Sequence, residues 1–383
     1  MVEWRKLGEI CTDVIVPMRD RPKIFDGSIP WCRIEDIEGM YFNKSLSGLM
    51  VSEDVIKKMN LKVFPIGTVI CSCSATLGVC AINTQPLITN QTFIGLVCSN
   101  EVLNRYMYYY MSTRKKELLS LATTGTIPYV SREKFENMQV PIPSLSEQNR
   151  IVGILDTFTA SIDNLKEQIA QRRKQYEYYR DQLLALEGKE GVEMKTMGEL
   201  CNFIRGPFGG ALKKEIFVSD GYAIYEQQHA IYGEWSFRYF IDEKKFNQMK
   251  RFEVHAGDIL MSCSGTMGKT SIIPENYKEG IINQALLKLS TKDEISNKFL
   301  KLLMDSLLFQ DALKGKTAGG AIQNVASVSV LKNIHIPVPS LQEQQRIVDI
   351  LDKFEASIQN LEAQLSQREK QYEYYRNKLL TFE

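Results

Sequence analysis

The chain has 383 residues, of which 44% are hydrophobic and 24% are charged, and its formal net charge is +1. These values are typical of a globular protein with room for two or three domains. No apolar run reaches the length of about 18 residues that a membrane-spanning helix needs, and the charged N-terminus lacks an apolar signal core, so we expect a cytoplasmic protein without a membrane partner.

In chain order, two globular segments alternate with two long helical segments. Each globular segment contains a β-like run, GTVICSCS (67–74) or GDILMSCS (257–264), and a helical pattern, 103–120 or 296–315. The sequence therefore predicts an α+β fold. We expect two α/β-type domains, residues 1–143 and 189–339. Each should be followed by a long helix, residues 144–188 and 340–383.

This alternation reflects an internal duplication. Residues 141–184 and 337–380 are identical at 30 of 44 positions without a gap, whereas 67–78 and 257–268 share 6 of 12. Elsewhere in the globular segments the alignment mostly fails. A module that stays fixed while another diverges predicts a common frame that carries two different recognition domains.

The fixed module has the signature of a coiled-coil helix. A Pro-x-Pro stretch precedes a Ser-x-x-Glu capping box at Ser144 and again at Ser340, and Gly188 is expected near the end of the first helix. Apolar or aromatic positions then recur in steps of four and three, which predicts a heptad seam. The seam residues are Ile151, Leu155, Phe158, Ile162, Leu165, Ile169, Arg172, Tyr176, Tyr179 and Leu183, and Ile347, Leu351, Phe354, Ile358, Leu361, Leu365, Arg368, Tyr372, Tyr375 and Leu379.

The direction of the two helices can be predicted from their length. Each should be roughly 65 Å long, whereas the domain between them should be about 40 Å across. Parallel helices would require that domain to bridge the full helix length between its two ends. We therefore predict an antiparallel pair with a globular domain at each end, related by a pseudo-twofold axis.

Two sequence patterns argue against catalysis within this chain. CSGTMGKT (263–270) resembles a phosphate-binding loop, but Cys263 replaces its first glycine and the matching CSATLGVC (73–80) lacks the Lys-Thr pair. A strand-and-turn element is the better interpretation. The eight cysteines and three histidines show no C-x-x-C spacing, so we predict no metal centre and expect buried, reduced thiols.

Polar residues in turn-rich stretches are the candidates for nucleic-acid contact, because Arg, Lys, Asn and Gln read base edges while Ser, Thr and backbone amides hold phosphates. Each also fits an ordinary solvated surface. In the first domain they are Arg19, Arg21, Lys23, Ser72, Ser74, Thr76, Asn90, Gln91, Thr124, Gly125 and Thr126. In the second they are Arg205, Lys213, Lys214, Ser262, Ser264, Thr266, Lys269, Asn283, Gln284, Gly320, Gln323 and Asn324.

The repeated heptapeptide KQYEYYR (174–180 and 370–376) carries candidates for partner docking. Its seam tyrosines should pack in the coiled coil, and Arg172 and Arg368 should fix the register of the seam. The residues off the seam could instead form an exposed docking surface. They are Lys174, Tyr178, Arg180, Lys370, Tyr374 and Arg376.

The repeated motif P-x-P-S-L-x-E-Q-x-R-I-V-x-I-L-D-x-F, following each globular domain, resembles the DNA specificity subunit of type I restriction-modification enzymes. The resemblance covers nearly the whole chain. It implies a non-catalytic subunit whose two domains each read one half of an asymmetric, bipartite double-stranded DNA target, with the helix pair fixing the spacer.

The same resemblance implies the partners and cofactors. Two modification (methyltransferase) subunits would dock on the helices and carry S-adenosylmethionine, and restriction subunits would supply ATP-dependent translocation and cleavage. No cofactor is expected in this chain. The alternative is a non-catalytic coiled-coil adaptor whose globular ends bind other proteins rather than DNA.

Overall fold

A computed structural model describes residues 2–208, 210–264, 266–314 and 328–382. The chain forms two compact units, which we call unit 1 (residues 1–166 and 363–383) and unit 2 (residues 167–362). Each unit therefore contains one globular part and a segment of both long helices. This division cuts across both long helices, so the boundaries between globular and helical segments stay a prediction from the sequence.

Unit 1 begins with ten strands and five short helices. The strands are β1 (Glu3–Lys6), β2 (Cys11–Ile15), β3 (Ile29–Cys32), β4 (Tyr41–Phe42), β5 (Met50–Val51), β6 (Val69–Ser72), β7 (Cys80–Asn83), β8 (Ile88–Thr89), β9 (Phe93–Cys98) and β10 (Gln139–Ile142). The helices are α1 (Leu7–Ile10), α2 (Glu53–Met59), α3 (Asn104–Ser112), α4 (Lys115–Leu121) and α5 (Arg132–Glu136), and the long helix α6 (Leu145–Leu184) follows.

Unit 2 has a similar order, with one more short helix among its described residues. Its strands are β11 (Glu193–Thr196), β12 (Cys201–Arg205), β13 (Phe217–Val218), β14 (Tyr222–Tyr225), β15 (Phe240–Ile241), β16 (Ile259–Ser262), β17 (Thr270–Ile272), β18 (Gly280–Ile282), β19 (Leu286–Thr291) and β20 (His335–Val338). Its short helices are α7 (Met197–Leu200), α8 (Gln227–Tyr232), α9 (Glu243–Gln248), α10 (Asn297–Asp305), α11 (Leu307–Lys314) and α12 (Val328–Lys332), and the long helix α13 (Leu341–Leu379) follows.

The sheets of the two units share a common strand order and differ by one edge strand each, which confirms the predicted duplication and the α+β class. Unit 1 orders one sheet as β2-β9-β6-β7-β4, and unit 2 has the matching order β12-β19-β16-β17. A second sheet is β5-β3-β8 in unit 1 and β13-β15-β14-β18 in unit 2, with one parallel pair in each. Strand pairs β1-β10 and β11-β20 complete the match.

Helix α3 fills the core of the globular part of unit 1. In α3 the side chains of Tyr106, Tyr109 and Tyr110 are fully buried against the main sheet. Their hydroxyls must find acceptors because burial removes water. Tyr106 donates to the carbonyl of Pro141 at 2.8 Å, and Tyr110 donates to that of Gln139 at 3.0 Å. Helix α3 thereby holds the strand that leads into α6.

The long helices begin where the sequence predicts. Ser144 Oγ accepts the backbone N–H of Glu147 at 3.3 Å, and Ser340 Oγ accepts that of Glu343 at 3.3 Å. The glutamate of each box pairs with the arginine three residues further on, which differs from the reciprocal bond of a full capping box. Helix α6 ends at Leu184, four residues before Gly188, whose φ of +75° is left-handed.

The two helices run antiparallel in each unit, as predicted. In unit 1, Phe158 stacks on Tyr375 with 5.4 Å between ring centroids, and Lys166 pairs with Glu369 at 3.8 Å. Residue numbers rise along α6 while they fall along α13. In unit 2, Tyr179 stacks on Phe354 at 5.4 Å, the same contact with the helices exchanged.

The arginines that interrupt the seam lie over aromatic rings. The guanidinium of Arg368 is 5.8 Å from the ring centroid of Phe158 in unit 1, and that of Arg172 is 5.9 Å from the ring centroid of Phe354 in unit 2. A guanidinium over a ring face is attracted by the ring's quadrupole. These contacts explain how a coiled-coil seam accommodates a charge.

A buried glutamine at the start of each long helix joins the helix to its globular part. Gln148 is fully buried: its Oε1 accepts the N–H of Leu103 at 2.9 Å, and its Nε2 donates to the carbonyls of Glu101 and Pro143, both at 2.9 Å. Every partner is a main-chain group. These three bonds therefore depend on backbone geometry, while the side chains of Tyr109 and Arg105 add bonds to Asp156 of α6.

Gln344 makes the same three bonds in unit 2. Its Oε1 accepts the N–H of Ser296 at 2.9 Å, and its Nε2 donates to the carbonyls of Glu294 and Pro339 at 2.9 and 3.0 Å. Gln344 is also fully buried.

Several cysteines are buried and should be unreactive in the folded protein. Burial raises the pKa of Cys32, Cys73 and Cys201 to about 12 and that of Cys263 to about 11. Because only the thiolate is a nucleophile, a raised pKa keeps these thiols protonated and inert at neutral pH. We expect iodoacetamide at about pH 8 to modify all eight cysteines after unfolding in urea but to spare these four in the native protein, as read by mass spectrometry. Rapid native labelling of the four would contradict their burial.

Candidate nucleic-acid interface

Three of the predicted polar groups meet in unit 1, at the turn between β6 and β7. The N–H of Cys73 donates to the carbonyl of Thr92 at 2.8 Å, which holds the turn against Asn90 and Gln91. The N–H of Ala75 donates to Pro128 at 3.1 Å, which brings in the stretch containing Thr124, Gly125 and Thr126. We call this group of loops the unit 1 loop cluster (72–79, 89–92 and 123–130).

The serines at the end of the hairpin strand, which were predicted as DNA contacts, have a structural role in the turn. Ser72 and Ser262 are fully buried. Ser72 Oγ accepts the N–H of Val79 at 2.9 Å, and Ser262 Oγ donates to the carbonyl of Thr266 at 2.6 Å. Both hydroxyls close the hairpin turn. The turn also carries the half-buried Ser74 and Ser264 and the exposed Thr76, Thr266 and Lys269.

The predicted Asn-Gln pairs divide into one structural and one exposed residue. Asn90 Oδ1 accepts the hydroxyl of Thr92 at 2.7 Å, and Asn283 Oδ1 accepts the N–H of Ala285 at 3.0 Å. The asparagines therefore shape their own turns. Gln91 and Gln284 are exposed beside them and remain candidates for base contact.

The basic residues of the first domain lie on one loop after β2. Arg19, Arg21 and Lys23 are all exposed. The guanidinium of Arg21 lies 5.1 Å from the ring centroid of Trp31. Strand β3, which carries Trp31, pairs with β8, and β8 leads directly into the unit 1 loop cluster. The loop is thus connected to the cluster through one strand pair.

In unit 2 the corresponding loop forms one wall of a basic groove of about 770 Å³. Gly206 allows the loop to approach closely, because a Cβ at this position would lie 1.8 Å from the carbonyl oxygen of Asn283. Among the described residues that line the groove, three are cationic and none is acidic. They are Arg205, Gly206, Pro207, Phe208, Ala211, Lys245, Gln248, Met249, Arg251, Phe252 and Gln284.

Four groove residues were not among the DNA contacts predicted from the sequence: Phe208, Lys245, Gln248 and Arg251. The signal was present in EKKFNQMKRF (243–252), a stretch with four cationic residues. Helix α9 begins where Asp242 Oδ1 accepts the N–H of Lys245 at 2.7 Å, and this cap orients the first turn that carries Lys245.

Other predicted residues lie apart from the groove lining. Lys213 and Lys214 are exposed at the start of a 3-10 helix, Lys214–Ile216. Gly320, Gln323 and Asn324 lie outside the described residues. The stretch that resembles a phosphate loop is a hairpin: strand β16 precedes it and strand β17 begins at Thr270, which confirms the strand-and-turn interpretation.

The docking candidates fall into two classes. Tyr178 and Tyr374 are 61% and 59% exposed, and Lys174 and Lys370 are exposed as well. The candidates Arg180 and Arg376 are only partly exposed, and each lies over a tyrosine ring of its own helix, Tyr176 at 6.0 Å or Tyr372 at 5.3 Å. These arginines contribute to packing of the helix ends.

The tyrosines form the same aromatic row in both units. In unit 1, Tyr374 contacts Tyr375 edge-on at 5.2 Å, and Tyr375 stacks on Phe158. Tyr178 and Tyr179 repeat this arrangement in unit 2, at 5.4 Å. The row ends in an exposed tyrosine whose orientation is fixed by the rings behind it.

The part of the chain that the structure describes contains neither a metal-binding cluster nor a membrane-spanning helix. Within it, no three His, Cys, Asp or Glu side chains converge so as to hold a metal ion. None of its helices combines the length and the apolar character needed to cross a membrane.

The fold and the loops thus define a class of protein: a duplicated α+β chain with two divergent polar surfaces on a shared helical frame. Residues 1–172 and 189–369 match the family described as "Type I restriction modification DNA specificity domain". The chain belongs to this family and is a specificity subunit, which is non-catalytic.

Individual relatives agree with this assignment. The chain is 30% identical over 301 residues to a type I restriction enzyme specificity subunit of Escherichia coli, covering 74% of this chain and 72% of that one. It is 24% identical over 392 residues to a type I specificity subunit of Methanocaldococcus jannaschii, covering 96% and 87%.

Solved structures share the fold. A structure described as showing complex assembly and conformational transition of the type I R-M system aligns with a TM-score of 0.66, at 18% identity, over 99% of this chain and 96% of that one. A type I restriction-modification S subunit from M. genitalium aligns with a TM-score of 0.55, at 17% identity, over 100% and 97%.

Proposed function

We propose that each globular part of this specificity subunit binds one half of an asymmetric, bipartite double-stranded DNA target. The observation that carries this proposal is that one frame presents two different polar surfaces. In unit 1 the surface is the loop cluster, and in unit 2 it is the basic groove. Because the residues on these surfaces differ, the two half-sites should differ in sequence.

The helix pair then sets the spacer and holds the partner subunits. Two modification subunits dock beside the exposed Tyr178 and Tyr374 and supply S-adenosylmethionine-dependent adenine methylation. Restriction subunits join this core and use ATP. The assembly acts in the cytoplasm, and this chain contributes sequence recognition without a cofactor of its own.

Reconstitution tests this function. The purified chain is combined with its cognate modification subunits, incubated with genomic DNA and S-adenosylmethionine, and the methylated adenines are mapped by sequencing. One bipartite sequence with two unlike halves is expected. Methylation of adenines regardless of their sequence context would overturn the proposal.

The dependence of DNA binding on salt concentration distinguishes this function from that of a coiled-coil adaptor. A DNA-binding complex that neutralises phosphates loses affinity linearly in log[salt], because counterions are released. Binding that is absent or insensitive to salt, with modification subunits present, would favour the adaptor. Family membership favours the DNA-binding function.

The spacer should follow the length of the helices. Inserting seven residues after position 165 and seven after position 361 preserves the heptad phase and adds about 10 Å to each helix. The methylated target should then carry a spacer longer by about three base pairs, since base pairs rise by roughly 3.4 Å. Seven residues inserted after position 189, beyond the end of α6, serve as the control and should leave the spacer unchanged. An unaltered spacer in the helix variant would refute the proposal that helix length sets the spacer.

A further inference from the structure

One aromatic side chain in unit 2 is exposed far beyond what packing explains. Phe208 is 95% exposed and stands at the rim of the basic groove. The side chains around it are of the kinds that contact DNA: Arg205, Lys245 and Arg251 for phosphates, and Gln248 and Gln284 for base edges.

The loop that carries Phe208 is anchored close to that residue. The N–H of Gly206 donates to the carbonyl of Leu286 at 3.0 Å, and the N–H of Ala211 donates to the carbonyl of Phe208 at 2.9 Å. Pro207 between them is buried. The backbone therefore holds Phe208 in place while its ring projects into solvent, an arrangement that suits insertion into a partner.

The chemistry of the surroundings selects the partner. An exposed apolar ring flanked by three cations, with no acidic residue in the described lining, complements a polyanion that also offers flat apolar faces. Stacked bases between two phosphate backbones meet both requirements. Apolar wedges such as Phe enter a base step and partly unstack it, while neighbouring cations hold the backbone.

We propose that Phe208 inserts into a base step of the half-site read by unit 2, with Arg205, Lys245 and Arg251 on the flanking phosphates. This inference rests on the proposed function and adds a DNA distortion to it. Specificity at that step then comes from the cost of unstacking as well as from base contacts.

The test uses the full chain with its modification subunits, without S-adenosylmethionine, on a duplex carrying the mapped target. 2-Aminopurine replaces single adenines in the second half-site, excluding the adenine that is methylated, and its fluorescence rises when a base is unstacked. We expect a rise at one step with the wild type. Phe208→Ala should abolish that rise and weaken binding by roughly 5- to 150-fold, the range for loss of one aromatic–base stack.

Salt dependence distinguishes the ring from the cations. Phe208→Ala removes no charge and should leave the slope of log affinity against log[salt] unchanged, whereas Lys245→Ala should reduce it by about one. Phe208→Trp should retain binding and unstacking. Tyr232→Ala is the matched control, because Tyr232 is 71% exposed in the same unit but does not line the groove.

The possible outcomes distinguish a failure of Phe208 insertion from a failure of the proposed DNA-binding function. Target binding and fluorescence that are the same for Phe208→Ala and wild type overturn the insertion and leave the function standing. Weaker binding by the variant, without any unstacking in the wild type, also overturns insertion. Absence of sequence-specific binding by the wild type overturns the proposed function itself.

Discussion

Replacing residues 12–138 with the corresponding domain of another type I specificity subunit is expected to change one half of the DNA target and leave the other half unchanged. The replaced segment runs from within β2 to the residue before β10, and it includes the unit 1 loop cluster. Strands β1 and β10 and helix α1 remain as part of the frame. The original first half-site should lose roughly a thousandfold or more in affinity, the usual gap between specific and non-specific DNA.

The structure gives a reason why a foreign domain should fit. Gln148 holds the first domain only through the N–H of Leu103 and the carbonyl of Glu101. Main-chain groups are present whatever side chains the incoming domain carries. Unit 2 shows the same joint with a domain that is almost unrelated in sequence, at Ser296 and Glu294.

Mapping of methylated adenines measures the result. The reciprocal replacement, residues 202–334, serves as the control and should change only the other half-site. A chimera in which both half-sites change would show that the two domains do not act as independent readers. A chimera that folds but methylates the parental target would place recognition outside the exchanged segment.

The frame could be predicted from the sequence because its signals are local or repeated. The start at Ser144 and the alternating steps of four and three are local signals, and the 30 identities in 44 positions are a signal of repetition. The antiparallel direction followed from helix length alone. Phe158 and Tyr375 confirm it by stacking, though they are far apart in the chain.

The binding surfaces were less predictable because tertiary contacts decide them. Ser72 and Ser74 are chemically alike, yet only the fold shows that Ser72 is buried and bonded to Val79. The groove joins Arg205 to Lys245 and Arg251, residues from separate elements. Residue type indicates which side chains can contact DNA, but not which of them the fold leaves exposed together.

Replacing Gln148 with Leu should destabilise unit 1 by about 3 kcal/mol or more. Leu occupies a similar volume but leaves the N–H of Leu103 and the carbonyls of Glu101 and Pro143 without the partner that Gln148 provides. Each buried polar group that loses its hydrogen bond costs about 1–3 kcal/mol. Gln344→Leu should have the same effect on unit 2, since the three bonds are the same.

Hydrogen exchange locates the effect where a melting curve cannot. In Gln148→Leu the amide of Leu103 should lose protection while that of Ser296 keeps it, and Gln344→Leu should show the reverse. Gln182→Leu, an exposed position on α6, is the control and should change stability by no more than about 0.5 kcal/mol. If Gln148→Leu proved as stable as this control, the glutamine would not be the joint between frame and domain. The tolerance of the frame for unrelated domains would then need another cause, such as the tyrosine hydroxyls of α3 that bond to β10.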